Sequence, residues 1–291
     1  MKALSGHTQP FAVLGHPIGH TLSPIMHNAS IEELGLDAVY LAFDVHPDRL
    51  MQVLPAMGAM GFKGVNLTVP LKEVAFRGLT DLASSARNLG AVNTVQFLPD
   101  GNMRGHNTDG QGFLTAIDEA FKSGVKGLKV FVLGSGGAGR AVAIACAVEG
   151  AGEVAVTDLE RERTERLAKE ISDKTPLVGV RPVPSDPAAW ARASREADLV
   201  IQATPVGMKQ EDASLLPPAA FRKGQLAFDL IYMYPETPFM RAARSAGAVA
   251  ANGLGMLLHQ GAAAFTIWTG KPAAVPAMRK ALETAVYGRN T

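Results

Sequence analysis

The stretch that decides the fold is Leu-Lys-Val-Phe-Val-Leu-Gly-Ser-Gly-Gly-Ala-Gly (128–139). Residues 129–133 are mostly apolar, with β-branched and aromatic side chains, which is typical of a buried strand. Residues 140–149 have high helix propensity, and Gly150 ends that run. Between strand and helix, three glycines match the pattern G-x-G-x-x-G: Gly134, Gly136 and Gly139.

Each glycine of this loop has a predicted physical role. The first allows a tight turn, the second a close approach of backbone to a pyrophosphate, and the third close packing of helix on strand. The N-terminus of the following helix then offers free N–H groups to phosphate oxygens. The alternative is a glycine turn with a structural role only. The flanking strand and helix favour dinucleotide binding.

Asp158 follows the last glycine by 19 residues and ends a second predicted strand, 153–157. A carboxylate at this place can hydrogen-bond the ribose hydroxyls of NAD, and it repels the 2′-phosphate of NADP. Asp158 could instead serve only as the N-cap of a helix over 159–171. Arg161 and Arg163 lie close enough in sequence to leave NADP open.

Composition excludes several classes of protein. The chain has 291 residues, 47% of them hydrophobic, and a net charge of +1, so nothing indicates nucleic acid or an anionic membrane as a partner. Its one cysteine, Cys146, cannot form an intrachain disulfide. Neither a signal peptide nor a membrane-spanning run is evident, and a soluble cytoplasmic protein is the prediction.

Strand and helix patterns alternate along the whole chain, which predicts an α/β fold with two domains. Residues 1–108 form a predicted N-terminal α/β substrate domain that includes a hairpin over 91–106. Residues 109–254 form a predicted Rossmann-type domain with a doubly wound parallel sheet. The helical tail has no place in that sheet, so residues 255–291 are expected to pack back on the first domain.

The first domain carries small polar residues at predicted strand ends and helix starts. Thr21 and Ser23 could bind a carboxylate together with helix N–H groups, although Ser23 could simply be an N-cap. Lys72 alone would be an ordinary surface lysine, and Asp109 alone could cap the next helix. Together they suggest an oxidoreductase, since a lysine held by an aspartate can donate a proton to a carbonyl that receives hydride.

Eight ordered motifs of the chain resemble the shikimate dehydrogenase family, over about residues 10–285. They are Gly-His-Pro-Ile-Gly-His-Thr-Leu-Ser-Pro (15–24), Asn-Leu-Thr-Val-Pro-Leu-Lys (66–72), Gly-Ala-Val-Asn-Thr (90–94), Asn-Thr-Asp-Gly (107–110), Gly-Ser-Gly-Gly-Ala-Gly-Arg (134–140), Ala-Thr-Pro-Val-Gly-Met (203–208), Asp-Leu-Ile-Tyr (229–232) and Asn-Gly-Leu-Gly-Met-Leu-Leu-His-Gln (252–260). The resemblance implies reversible reduction of 3-dehydroshikimate to shikimate by NAD(P)H. It implies a small-molecule substrate, no metal, and a homodimer as an option.

The resemblance also implies roles for individual residues. Lys72 and Asp109 would be the catalytic pair. The substrate-binding residues would be Thr21, Ser23, Asn66, Thr68, Asn93, Tyr232 and Gln260. The cofactor-binding residues would be Gly134, Ser135, Gly136, Gly137, Ala138, Asp158, Thr204, Gly253 and Met256.

Two departures from the family pattern bear on cofactor and substrate. NADP-dependent members often carry Asn-Arg-Thr where this chain reads Thr157-Asp158-Leu159, so the resemblance favours NAD over NADP. Thr21 stands where serine is usual, and its extra methyl could reshape the carboxylate pocket. A quinate/shikimate dehydrogenase of quinate catabolism and a non-catalytic NAD-binding sensor remain as alternatives.

Overall fold

The structure is a computed structural model that describes residues 4–175, 179–209 and 211–288. The chain divides into two compact units, one made of Met1–Gly112 with Leu258–Thr291 and the other of Phe113–Leu257. Each unit combines an open six-stranded sheet with helices in these described residues. The predicted α/β class is confirmed.

The first unit is built on a mixed sheet. Its strands are β1 (Gln9–Gly15), β2 (Ala38–Asp44), β3 (Gly64–Leu67), β4 (Asp81–Leu82), β5 (Thr94–Phe97) and β6 (Met103–His106). The strand order is β2-β1-β3-β5-β6-β4, with β1 parallel to β2 and β3 and with β5 antiparallel to both β3 and β6. The β5–β6 pair is the predicted hairpin.

Helices cover this sheet with apolar side chains. They are α1 (Ser23–Glu33), α2 (Leu50–Ala59), α3 (Leu71–Gly78) and α4 (Ser84–Leu89), and a 3₁₀ turn over Pro47–Arg49 precedes α2. One buried cluster joins Leu14, Leu54 and Leu67 to their neighbours, and another includes Phe11 and Tyr40. Burial of such side chains is the main favourable contribution to folding.

The second unit has an entirely parallel sheet. Two helices that cross the unit boundaries, α5 (Asp109–Phe121) and α10 (Leu254–Thr269), flank its remaining elements. These are β7 (Lys129–Leu133), α6 (Gly137–Val148), β8 (Glu153–Thr157), α7 (Arg161–Lys174), β9 (Gly179–Pro182), α8 (Pro187–Glu196), β10 (Leu199–Gln202), a 3₁₀ turn (Pro218–Ala220), β11 (Leu226–Asp229), α9 (Pro238–Ser245) and β12 (Val249–Asn252).

The strand order of this sheet is that of a doubly wound dinucleotide-binding fold. It runs β12-β11-β10-β7-β8-β9, so the chain leaves the central β7 first in one direction and then in the other. In such sheets ligands bind at the carboxyl ends of the strands, where the order reverses. That point lies between β7 and β10, beside the glycine loop that follows β7.

The sequence patterns do not predict β9 or α8, and they predict a helix over 81–89 where the structure has the short strand β4 before α4. β9 is a short strand at the sheet edge, and its Gly179 and Pro182 hide any alternation of apolar residues. A signal for α8 is present in the sequence, because Asp186 caps the helix through Ala189 N–H and Pro187 follows it.

The C-terminal helices pack on the first unit, as predicted. The part of α10 beyond Leu258 and the last helix, α11 (Val275–Tyr287), belong to that unit. The Trp268 indole N–H donates to Val95 O at 3.0 Å, and its ring stacks on Phe11. No helix among the described residues is both long enough and apolar enough to cross a membrane.

The three glycines of the loop differ in backbone conformation and in the space around them. Gly134 has φ +100, a backbone conformation that other residues rarely adopt. A Cβ on Gly139 would lie 1.9 Å from Gly134 O, so helix and strand could not approach each other. A Cβ on Gly136 would meet nothing within 4 Å, which leaves open space in front of this backbone.

A buried histidine lies behind the first sheet. His27, in α1, is 0% exposed, and its two ring nitrogens have no hydrogen-bond partner in the described part of the chain. The ring stacks on Tyr40 at 4.2 Å between centroids. Burial lowers the pKa of His27 from 6.5 to about 3, so the ring is neutral at physiological pH.

Gly139→Ala should destabilise the second unit, because its new methyl group would overlap backbone that cannot move away. We expect the free energy of unfolding in urea to fall by about 3 kcal/mol or more. Gly136→Ala is the matched control, since its φ of −68 and open surroundings accept a Cβ. Equal stabilities for the two variants would contradict this packing argument.

His27→Phe should make the protein more resistant to acid. The unfolded chain protonates this histidine near pH 6.5 but the folded chain only near 3, so wild-type stability falls as pH drops through that window. The slope for one proton is about 1.4 kcal/mol per pH unit. Urea unfolding at several pH values would show a flatter curve for His27→Phe and an unchanged one for the exposed His7→Gln. A wild-type slope in His27→Phe would contradict the assignment.

Candidate active site

The hydroxyl pair predicted to bind a carboxylate lies where α1 begins. The helix starts at Ser23 and its N-cap residue is Leu22, which gives no side-chain cap. The interpretation of Ser23 as an N-cap is therefore wrong, because Ser23 is already the first residue of the helix. Thr21 Oγ1 lies 3.2 Å from Ser23 Oγ and accepts the Ser23 N–H at 3.3 Å.

Asn66, at the end of β3, is held by a buried hydrogen-bond network. Its Oδ1 accepts the Tyr40 hydroxyl at 2.7 Å, and its Nδ2 donates to Asn93 O and Thr94 Oγ1 at 3.1 Å each. The side chain is 6% exposed and both of its amide hydrogens are used. These contacts give Asn66 a role in holding the ends of neighbouring strands, and direct contact with a substrate stays a prediction.

Tyr40 is a site residue that the sequence analysis missed. Besides its bond to Asn66, its hydroxyl has a hydrogen bond with the Ser23 side chain. Burial raises the pKa of Tyr40 well above its usual value, and the bond to Ser23 only partly opposes that shift. The position in β2 carries no polar motif, so only the pairing of strands reveals it.

Lys72 and Asp109 form the centre of the site. Lys72 lies in the first turn of α3, and Asp109 is the first residue of α5. Lys72 Nζ donates to Asp109 Oδ2 at 2.6 Å. The lysine side chain is 29% exposed, and two of its three N–H donors remain for other partners.

Asn93 fixes the second carboxylate oxygen of Asp109. The Thr108 backbone N–H donates to Asn93 Oδ1 at 2.8 Å, and since a backbone N–H can only donate, this bond sets the orientation of the amide. Asn93 Nδ2 then donates to Asp109 Oδ1 at 2.9 Å. Thr108, which was not predicted, accepts from the same Nδ2 at 2.9 Å.

Two further predicted substrate residues lie beside this centre. Gln260 Oε1 is 3.5 Å from Asn93 Nδ2, and Gly112 makes room for Gln260, since a Cβ there would lie 2.5 Å from Gln260 N. Thr68 follows β3, and its methyl group packs against Gly15. The first unit thus contains eight of the nine predicted catalytic and substrate-binding residues.

The ninth of these residues, Tyr232, belongs to the second unit. Tyr232 follows β11, and burial raises its pKa. In the same turn the Asp229 carboxylate accepts Thr237 Oγ1 at 2.6 Å and Ile231 N–H at 3.0 Å. Burial raises the pKa of Asp229 to about 6.

The predicted cofactor residues lie in the second unit, many of them at strand ends. Thr204 follows β10, and its N–H donates to the buried Gln202 side chain at 2.7 Å. Gly253 follows β12, where a Cβ would lie 2.2 Å from Leu230 O. Met256 lies in α10, and Gly137 and Ala138 begin α6 directly after Gly136.

Asp158 connects the glycine loop to the turn after β8. Its Oδ2 accepts the Ser135 N–H at 2.7 Å, and its Oδ1 accepts the Glu160 N–H at 3.1 Å. Glu160 is the N-cap residue of α7, so Asp158 is not that cap. The Asp158 carboxylate therefore lies beside the glycine loop.

Three arginines near the glycine loop and the start of α7 pair with glutamates. Arg163 Nε lies 2.8 Å from Glu160 Oε2, and Arg161 Nε lies 2.6 Å from Glu165 Oε1. Arg140, at the start of α6, forms a two-pronged pair with Glu170. Within the described residues no group of three or more His, Cys, Asp or Glu side chains could hold a metal ion.

Two protein-family models match separate parts of the chain. Residues 13–95 match the shikimate dehydrogenase substrate binding domain, and residues 253–283 match the shikimate 5′-dehydrogenase C-terminal domain. A curated relative from Methanopyrus kandleri, shikimate dehydrogenase (NADP(+)), is 42% identical over 96% of this chain and 97% of its own length. The chain belongs to the shikimate dehydrogenase family.

Solved structures of related dehydrogenases are similar to this chain in both fold and sequence. Shikimate 5-dehydrogenase from Listeria monocytogenes, in complex with shikimate and NAD, has a TM-score of 0.91 and 35% identity, covering 97% of this chain and 99% of its own. Quinate dehydrogenase from Corynebacterium glutamicum, in complex with NAD, has a TM-score of 0.88 and 31% identity, covering 95% and 99%.

Proposed function

We propose that this protein is a shikimate dehydrogenase, which catalyses reversible hydride transfer between NAD(P)H and 3-dehydroshikimate. The observation that carries the proposal is the Lys72–Asp109 pair, held at 2.6 Å with Asn93 on the second carboxylate oxygen. This is an ordered proton-transfer centre in a unit whose residues 13–95 match a shikimate-binding domain.

A nicotinamide cofactor, when bound, supplies the hydride or accepts it. Lys72 moves the accompanying proton. In the reducing direction its Nζ donates a proton to the carbonyl oxygen of the substrate, and in the oxidising direction it takes the proton of the hydroxyl. Asp109 holds the ammonium in place and can accept a hydrogen bond from a neighbouring substrate hydroxyl.

Thr21 and Ser23 are proposed to bind the carboxylate of the substrate. Their oxygens lie 3.2 Å apart at the start of α1, and neither side chain caps that helix. Asn66, Thr68, Asn93 and Gln260 are proposed to orient the ring hydroxyls, directly or through Asp109. The proposed contribution of Tyr232 to carboxylate binding stays a prediction.

The second unit fits a dinucleotide. The open space in front of Gly136, at the start of α6, lets phosphate oxygens approach backbone N–H groups, and a Cβ there would fill this space. Residues 134–138 are therefore proposed to hold the pyrophosphate. Thr204, Gly253 and Met256 are proposed to line the site toward the nicotinamide.

NAD is the proposed cofactor in preference to NADP. The Asp158 carboxylate lies beside the glycine loop, where it can accept a hydrogen bond from a ribose hydroxyl and repel a 2′-phosphate. Arg161 and Arg163 are both paired with glutamates, which weakens the case for an arginine site for that phosphate. The Methanopyrus kandleri relative is named as an NADP(+) enzyme, so a preference for NADP is the opposite outcome that the test distinguishes.

The alternatives have less support. The curated relative named as a shikimate dehydrogenase is 42% identical, against 31% for the quinate dehydrogenase. A non-catalytic sensor would not need Lys72 and Asp109 in a formed pair. Assembly as a homodimer and a cytoplasmic location stay predictions.

Initial rates with shikimate or quinate, crossed with NAD⁺ or NADP⁺, test the function. We expect the highest kcat/KM for shikimate with NAD⁺. Lys72→Ala should lower kcat about a hundredfold or more, since it removes the proton-transfer group, and should leave NAD⁺ binding nearly unchanged. Wild-type turnover in Lys72→Ala would contradict the role of Lys72, and faster turnover of quinate would favour the quinate alternative.

Asp158→Asn should shift the cofactor preference toward NADP⁺. The substitution keeps the shape and an oxygen acceptor but removes the negative charge that opposes a 2′-phosphate. We expect the ratio of NAD⁺ to NADP⁺ affinities, measured by calorimetry, to fall about tenfold. Asp173→Asn, an exposed change near the far end of α7, is the control. Unchanged affinities for both cofactors would leave Asp158 as a turn-forming residue only.

A further inference from the structure

We propose that Glu160 is a second specificity-determining residue of the cofactor site, which excludes a nucleotide 2′-phosphate. It does so by pairing with Arg163 and by adding a carboxylate next to Asp158. This inference rests on the proposed dinucleotide site of the second unit and concerns only the adenosine end of the ligand.

Glu160 is held in the turn that carries the ribose-binding carboxylate. Its backbone N–H donates to Asp158 Oδ1 at 3.1 Å, while Asp158 Oδ2 accepts the Ser135 N–H of the glycine loop at 2.7 Å. One turn of chain thus joins the loop, Asp158 and Glu160. Asp158 and Glu160 thus place two carboxylates in the turn that follows β8.

Arg163 is the residue that could otherwise bind such a phosphate. It lies in the first turn of α7, its side chain is 48% exposed, and arginine near this turn is the usual means of accommodating a 2′-phosphate. Here its Nε lies 2.8 Å from Glu160 Oε2. The pair neutralises the charge that a phosphate would need.

The neighbouring arginine does not replace it. Arg161 Nε lies 2.6 Å from Glu165 Oε1, one turn further along the helix. Residues 158–165 contain four carboxylates and two guanidinium groups, so the segment as a whole is negative.

The size of the effect follows from the exposure of these groups. An exposed ion pair contributes little by itself, and charges in water interact weakly over several ångströms. Removing the Glu160 charge is therefore expected to strengthen 2′-phosphate binding about tenfold and not abolish discrimination, because Asp158 remains. The gain should shrink at high salt, since these interactions are screened.

The test uses calorimetric titration of the full-length protein with adenosine 2′,5′-bisphosphate and with adenosine 5′-monophosphate. Glu160→Gln removes the charge and keeps the shape. Glu165→Gln removes an equal charge from the partner of Arg161 and is the matched control. Glu160→Gln combined with Arg163→Gln tests whether the gain acts through Arg163.

Glu160→Gln should raise the ratio of bisphosphate to monophosphate affinity about tenfold. The rise should be smaller in about 0.5 M salt, because salt screens these charges. Glu165→Gln should not change the ratio, and the double variant should lose most of the gain. An unchanged ratio in Glu160→Gln, or an equal gain in Glu165→Gln, would overturn the inference while leaving the cofactor site intact. Failure of the wild type to bind either nucleotide would instead overturn the cofactor site and this inference with it.

Discussion

The first unit depends on one constraint, the placement of the Asp109 carboxylate at the start of α5. Lys72 comes from a helix after β3, and Asn93 from the segment before β5, so three separate parts of the chain must meet within hydrogen-bond distance. The Thr108 N–H fixes the amide of Asn93, and Asn66 holds the backbone of Asn93. Each of these hydrogen bonds restricts the next, so the network as a whole holds the Lys72 side chain in one position.

In the second unit, close packing of the backbone fixes the candidate site, whereas side-chain hydrogen bonds do so in the first. Close packing of α6 on β7 requires Gly139, and the same turn leaves the backbone at Gly136 open. Asp158 then joins this loop to the end of β8, so the turn proposed to distinguish cofactors is connected to the loop proposed to hold phosphates. A change of charge at Asp158 or Glu160 is therefore expected to act on selectivity beside a loop that is already fixed by packing.

The sequence predicted the parallel sheet and its glycine loop because strand, glycine spacing and helix lie next to each other in the chain. The alternative that Ser23 is an N-cap is wrong, since α1 begins one residue earlier, with Leu22 as its N-cap residue. It did not predict β9, because an edge strand with Gly179 and Pro182 lacks an apolar alternation. Tyr40 was missed because its hydroxyl meets Ser23 and Asn66 only after β1, β2 and β3 pair.

The sequence by itself determined the α/β class, the dinucleotide loop and the residue types of the proton-transfer pair, since these are local patterns or ordered motifs. Only the tertiary structure decided which polar groups are free and which are occupied. Lys72 and Asp109 lie 37 residues apart and become partners at 2.6 Å, whereas the amide hydrogens of Asn66 are used by other buried groups. The physical reason is that a hydrogen bond depends on distance and direction in space, which strand pairing and helix packing set.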